Sequence, residues 1–363
     1  MSPEPKPGIL AIEPYVAGRA PTSEEHPAFK LSSNESALGA SPKAIAAYEA
    51  ARTDLFSYPD GGATALREAI AAVHGLDAGR ILCGSGSEEL LSLIARAYVR
   101  PGDEVLFTEH AFIVYRIAAL SSSAVPVPVP EKNLGADIDA ILANVTARTR
   151  IIYLANPNNP TGSCLSAQEI ERLHAGLPDT VLLVIDAAYA EYVQRADYEP
   201  GTRLVSRFDN VVMTRTFSKI YGLAGLRVGW AYCPPAVADI INRVRGPFNV
   251  TTAAQAAATA ALSDTDHVAR SVAHNAEWKS WLVQKIRAAG LGIDEGEGNF
   301  LLIRFPREAP HDASSADAFL SARGFILRTV ANYGLPHCLR LTVGREEANR
   351  GVARALAEFV RTT

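Results

Sequence analysis

The chain has 363 residues, 48% hydrophobic and 20% charged, enough for two domains with sizeable cores. Its formal net charge of −4, without any basic block, argues against nucleic acid or an anionic membrane surface as partner. No apolar run approaches a membrane span, and the 4 cysteines form no CxxC pair, so neither a zinc site nor a disulfide framework is expected. Reduced thiols, and a start (MSPEPKPGIL) lacking the basic and apolar regions of a secretory leader, predict a cytoplasmic protein.

Residues 1–30 are proline-rich with little periodicity and read as an arm over the surface, with Tyr15 in a turn. KLSSNESALGASP (30–42) is a short strand followed by a loop. Ser41 with Pro42 behind it then opens a helix through Ala51. Tyr58-Pro59-Asp60-Gly61-Gly62 is a turn, and a helix Ala65–Val73 follows. From residue 80 strands and helices alternate. Ile81-Leu82-Cys83 runs into GSGSEEL, a glycine-rich strand-to-helix turn suited to phosphate, although Glu89 stands where a dinucleotide fingerprint needs its third glycine. Val105-Leu106-Phe107 is the next strand, with Phe112 and Tyr115 near a helix start. VPVPVP (125–130) lacks alternate amide donors and predicts an edge or extended segment. Strands follow at 151–154, 181–186, 210–213 and 228–232, and NPNNPTG (156–162) is a dense turn after the first of them.

This alternation predicts an α/β fold, a mainly parallel sheet with helices on both faces and ligands at the carboxyl ends of its strands. After residue 250 the character changes to a smaller α+β unit. It has helices at 253–262, 266–288, 315–323 and 345–360, and strands Phe300–Ile303, Phe325–Arg328 and Leu339–Val343. The expected division is an arm and part of the small domain (1–44), a large domain (45–250) and a small domain (251–363).

Chemistry concentrates at the strand ends. TFSKIYGLAGLRVG (216–229) places Ser218 and Lys219 just past a buried strand, with Arg227 eight residues on. A desolvated lysine beside hydroxyls and a guanidinium suits a Schiff base next to a bound phosphate, which points to pyridoxal 5′-phosphate (PLP). Asp186 ends the most apolar strand. It is either the cap of the turn that follows or a carboxylate for the cofactor's pyridine nitrogen. Tyr189 and Asn159 are candidate donors to the ring's phenolic oxygen, and Phe112 a candidate to stack on the ring, each with ordinary packing or turn formation as the alternative. Arg328 and Arg340, twelve residues apart, end two strands of the small unit and would suit a doubly anionic substrate.

With these motifs in view, the chain resembles the fold-type I PLP-dependent aminotransferases over nearly its whole length. The likeness rests on PYVAGR (14–19), KLSSNESALGASP, YPDGG, GSGSEE, NPNNPTG, DAAYAEY (186–192), TFSKIYGLAGLRVG, RGPFNV (245–250), GNFLL (298–302), ILR (326–328) and LRLTVG (339–344). It implies a seven-stranded, mainly parallel sheet flanked by helices plus the smaller α+β domain. By the same resemblance Lys219 is the Schiff-base lysine and Asp186 the pyridine partner, with Asn159 and Tyr189 on the ring oxygen. Ser87, Thr216, Ser218 and Arg227 would cradle the phosphate, with Gly86 and Glu88 also among the cofactor-binding residues and Tyr58 reaching in from the other subunit of a homodimer. Arg340 would bind the substrate carboxylate, and Arg328, Tyr15 and Asn34 would lie toward the rest of the substrate. Glu88 and Ala17 depart from the residues common in the family, and EHAFIVYR fits the usual surroundings of the stacking aromatic loosely. No metal is implied. The implied reaction is transamination between histidinol phosphate and 2-oxoglutarate, with aromatic amino-acid transamination or decarboxylation of threonine phosphate as alternatives.

Overall fold

The computed structural model describes residues 3–14 and 28–361. Tyr15 and most of the PYVAGR motif lie outside the described residues. Where the chain settles into the large unit, Ser41 Oγ accepts the Ala44 N–H at 3.1 Å and Pro42 takes the first helical position. The helix Pro42–Ala50 therefore starts where its capping residues predict.

The alternating segments build a seven-stranded sheet in the order Ile81–Gly84, Gly229–Tyr232, Val211–Thr216, Leu182–Asp186, Thr149–Ala155, Glu104–Thr108, Val125–Val129. All neighbours are parallel except Gly229–Tyr232, which runs against the strands on both its sides. The valine–proline segment is the edge strand beyond Glu104–Thr108, where its missing amide donors face no partner. The central strands are buried on both faces. Leu183, Ile185, Val211 and Met213 point into one core, and Leu182, Val184 and Val212 into another on the opposite face.

The small unit is a four-stranded antiparallel sheet, Gly292–Asp294, Phe300–Arg304, Cys338–Thr342 and Arg328–Thr329, covered by helices Ala313–Ser321 and Glu346–Arg361. The single strand expected over Phe325–Arg328 is broken in two. Phe325–Ile326 leaves this sheet to pair in parallel with Phe29–Lys30, and only Arg328–Thr329 stays to pair with Arg340 and Leu339. The cause is the N-terminal segment, whose Phe29 stacks on Phe325 at 5.5 Å and takes up its backbone.

The helix Thr252–Leu262, just past the expected division near 250, buries Ala254, Ala257, Ala258 and Ala261 in the core of the large sheet. The long helix Thr265–Ala288 starts on that core through Val268 and Val272 and ends on the core of the small unit, beside Leu301, Leu341 and Leu356, through Trp278, Leu282 and Ile286. We therefore propose that the two units divide within this long helix.

Candidate active site

A cleft opens at the carboxyl ends of the parallel strands, between the large sheet and the small unit. Lys219, Asp186, Asn159, Ser87, Phe112, Arg328 and Arg340 all line it. In the strand Leu182–Asp186 the two-residue alternation turns Asp186 to the same face as Val184. Its carboxylate is buried and accepts the Tyr115 hydroxyl at 2.8 Å and the Thr214 hydroxyl at 3.2 Å. Burial raises its pKa, and the bonds from Tyr115, Thr214 and the Ala188 N–H pull the other way. No α-helix starts there, yet the bond from the Ala188 N–H caps the turn that follows, so the carboxylate serves that turn as well as lining the cleft.

Lys219 lies in the turn after Val211–Thr216 and donates from Nζ to the Ser33 carbonyl at 3.0 Å. Burial, reinforced by the Arg340 and Arg227 charges and opposed by Glu35 and Asp186, pushes its pKa down to about 7. An amine of that basicity exchanges protons near neutral pH, as a general acid–base must.

The phosphate-cradle candidates surround the start of the helix Ser87–Tyr98. Gly86 precedes it with φ +82°, and a side chain there would begin 2.5 Å from Arg227 Nη2, so glycine keeps this approach open. Arg227 Nη1 donates to Ser218 Oγ at 3.3 Å, and the Ser218 N–H donates to Thr216 Oγ1 at 3.0 Å. Glu88 lines the cleft 4.0 Å from Arg227. Glu89, the residue in place of a third glycine, accepts the Ser85 N–H at 2.6 Å and Asn249 Nδ2 at 2.7 Å, and so pins the turn.

Tyr189 accepts Asn34 Nδ2 at 2.8 Å, and burial carries its hydroxyl up to about 12. Arg340 donates to Asn159 Oδ1 from one nitrogen and to the Ser32 carbonyl at 2.6 Å from another. Arg328 and Arg340 are direct cross-strand partners, and both are buried. Strand-borne arginines are usually solvated, whereas these two are buried side by side in the cleft wall.

Tyr58 stands apart. It is 82% exposed, stacks on Phe248 at 4.7 Å and does not line the cleft of its own chain. Three participants escaped the sequence reading. Thr214 was hidden mid-strand, and Tyr333 lines the cleft from a short turn without a motif. Tyr115 read as one more aromatic, yet its ring stacks on Tyr153 at 4.9 Å and meets Phe112 edge-on at 5.9 Å. The three-residue spacing of Phe112 and Tyr115 was the available signal.

A doubly covered sheet with lysine, acid and phosphate donors converging on its strand ends defines a PLP enzyme of the aminotransferase kind. The donor set and the space kept by Gly86 fit that cofactor. The chain belongs to the aminotransferase class I and II family, whose model matches residues 27–356. It is 51% identical over 359 residues to the histidinol-phosphate aminotransferase of Rhodopseudomonas palustris (strain TIE-1), covering 99% of this chain and 98% of that protein. The crystal structure of histidinol-phosphate aminotransferase from Sinorhizobium meliloti in complex with pyridoxal-5′-phosphate superposes with a TM-score of 0.85 at 30% identity, covering 92% of this chain and 90% of that one. A tetra mutant of Thermus thermophilus aspartate aminotransferase shares the fold at 21% identity, with a TM-score of 0.80 over 91% of this chain and 95% of that one. Among the described residues no helix is long and apolar enough to cross a membrane, and no acidic, histidine or cysteine cluster could hold a metal.

Proposed function

We propose that the protein transfers an amino group between histidinol phosphate and 2-oxoglutarate, giving imidazole-acetol phosphate and glutamate, as a step of histidine biosynthesis. The observation that carries this reading is the buried pair Arg328 and Arg340 on the cleft wall. One site must take a phosphate monoester and a dicarboxylate in turn, and two adjacent guanidiniums suit both. Arg340 would take the α-carboxylate of glutamate and Arg328 the phosphate of histidinol phosphate. The 51% identity to the Rhodopseudomonas enzyme supports the same substrate.

PLP, when bound, supplies the aldehyde that receives the amino group and a ring that draws off the electron pair left at Cα. Lys219 would hold it covalently until substrate arrives. The freed amine would then take the Cα proton and return it to the cofactor's exocyclic carbon. Asp186 would hold the pyridine nitrogen protonated, Tyr189 and Asn159 would donate to the phenolic oxygen, and Phe112 would cover the ring. Ser87, Thr216, Ser218 and Arg227 would surround the phosphate, with Gly86 and Glu88 beside the cofactor, and Asn34 would orient Tyr189 on the substrate side.

The same reading makes the protein a homodimer. Tyr58, exposed beside Leu55 and Phe56, would reach the partner subunit's phosphate pocket, and the two apolar side chains would be covered at the interface. Four free cysteines, three of them buried, agree with a reducing cytoplasm. The test is turnover of purified protein on histidinol phosphate with 2-oxoglutarate, read as glutamate formed. Faster turnover of phenylalanine, or carbon dioxide released from threonine phosphate, overturns the substrate assignment.

A further inference from the structure

His110 lies in the turn after the strand Glu104–Thr108, two residues before Phe112, and is buried. Its ring Nδ1 sits 2.6 Å from the Tyr333 carbonyl oxygen. A carbonyl only accepts, so Nδ1 carries a hydrogen and donates it. This bond crosses from the large unit to the short turn Ala331–Tyr333, which connects the strand bearing Arg328 to the strand bearing Arg340. The ring also fills the space above Gly334, where φ is +78° and a Cβ would come within 3.2–3.3 Å of Cε1 and Nδ1. Around it Ile113 and Leu134 of the large unit pack on Val330, Tyr333 and Leu335 of the small one.

The backbone of His110 is tied down as well. Its N–H donates to Glu131 Oε1 at 3.1 Å, and its carbonyl accepts Asn158 Nδ2 at 3.3 Å. The residue thus ties its own segment to three others, and three of the four place a neighbour in the cleft: Phe112, Asn159 and Tyr333.

We propose that His110 is a positioning residue for substrate: it fixes the Tyr333 turn, and with it the Arg328–Arg340 wall, against the face that carries Phe112. The inference rests on the reading of that wall as the substrate side of the site. The cofactor's candidate holders, Ser87, Asp186, Ser218, Lys219 and Arg227, all belong to the large unit. A shifted Tyr333 turn therefore loosens the grip on substrates that must touch both units, and reaches the cofactor's holders only through the contact of Arg340 with Asn159.

The test compares His110→Ala with His110→Asn, whose amide N–H can still donate to the carbonyl, both as holoenzymes. Readouts are KM and kcat for glutamate and for histidinol phosphate, the cofactor dissociation constant, and the melting temperature. Expected for His110→Ala is a rise of about threefold to tenfold in KM for both substrates, the worth of one hydrogen bond, with kcat and cofactor affinity nearly unchanged. His110→Asn should recover most of the KM without needing to recover the melting temperature. An unchanged KM in His110→Ala, a parallel loss of cofactor affinity, or no recovery in His110→Asn overturns the proposal. A wild type that uses glutamate but not histidinol phosphate sinks the substrate reading alone, and the glutamate KM still decides the role of His110.

Discussion

The two units that meet at the cleft supply different things by different means. The large sheet offers an acid, an amine and hydroxyls at or just beyond strand carboxyl ends, each set by its own strand: Asp186 by one, Thr216, Ser218 and Lys219 by another. The small unit offers two guanidiniums that come together only through cross-strand register, Arg328 opposite Arg340. Position along one strand is a local property, whereas register is a tertiary one. Chemistry common to a family can be fixed locally, and substrate selection can then be changed by altering pairing in the smaller unit.

That division implies that damage to the large unit abolishes reaction with every substrate. Lys219→Ala should fold and still bind the cofactor's phosphate. Turnover should fall by roughly three or more powers of ten, because covalent attachment and proton transfer vanish together. The visible absorbance of the lysine-bound cofactor should vanish too. Turnover near the wild-type rate on any amino donor would remove Lys219 from the chemistry.

Asp186→Asn tests the same side more gently. An amide keeps the size, but its single oxygen can accept from only one of Tyr115 and Thr214, which meet different carboxylate oxygens, and it carries no charge for a protonated pyridine nitrogen. A fall of about a hundredfold or more in kcat is expected on all donors, with the cofactor retained. Near-normal kcat at full cofactor occupancy would leave the carboxylate a structural group.

The small unit should break selectively. Arg328→Gln should lower kcat/KM for histidinol phosphate by about tenfold to a hundredfold, the worth of a charge-assisted bond to phosphate, and spare phenylalanine. Arg340→Gln should instead harm glutamate and phenylalanine together, since both present an α-carboxylate. Equal losses on every substrate from Arg328→Gln would mean that it holds the wall and selects nothing.

What the residues disclosed follows the same line. Helix starts were legible because capping is local, as at Ser41-Pro42, and so were the strand ends that carry Asp186 and Lys219. The valine–proline edge strand was legible because a missing donor has one consequence. The split of Phe325–Arg328 was not, because it depends on Phe29, roughly three hundred residues earlier in the chain. Tyr115 and His110 escaped for a related reason. Nothing near them in sequence names Asp186 or the Tyr333 carbonyl, their partners in space.

The mildest prediction concerns the basicity of Lys219 itself. Burial is the main cause of its depression to about 7, with Arg340, on the small unit, the leading charge contribution. Attachment of PLP to the apoprotein needs the neutral amine. At a pKa of about 7 roughly a tenth of the amine is neutral at pH 6 and nine-tenths at pH 8. The loading rate, followed by visible absorbance, should therefore climb about tenfold between those values and then level off. An ordinary lysine would gain about a hundredfold over the same interval and keep climbing to pH 10. The Arg340→Gln apoprotein sharpens the comparison between the units. Removing that positive charge favours the charged amine, so the plateau should begin at higher pH, whereas Arg328→Gln, which is not among the leading charges on Lys219, should move it less. If loading in the wild type rises tenfold per pH unit through pH 9, Lys219 is an ordinary amine and the small unit has no hold on it.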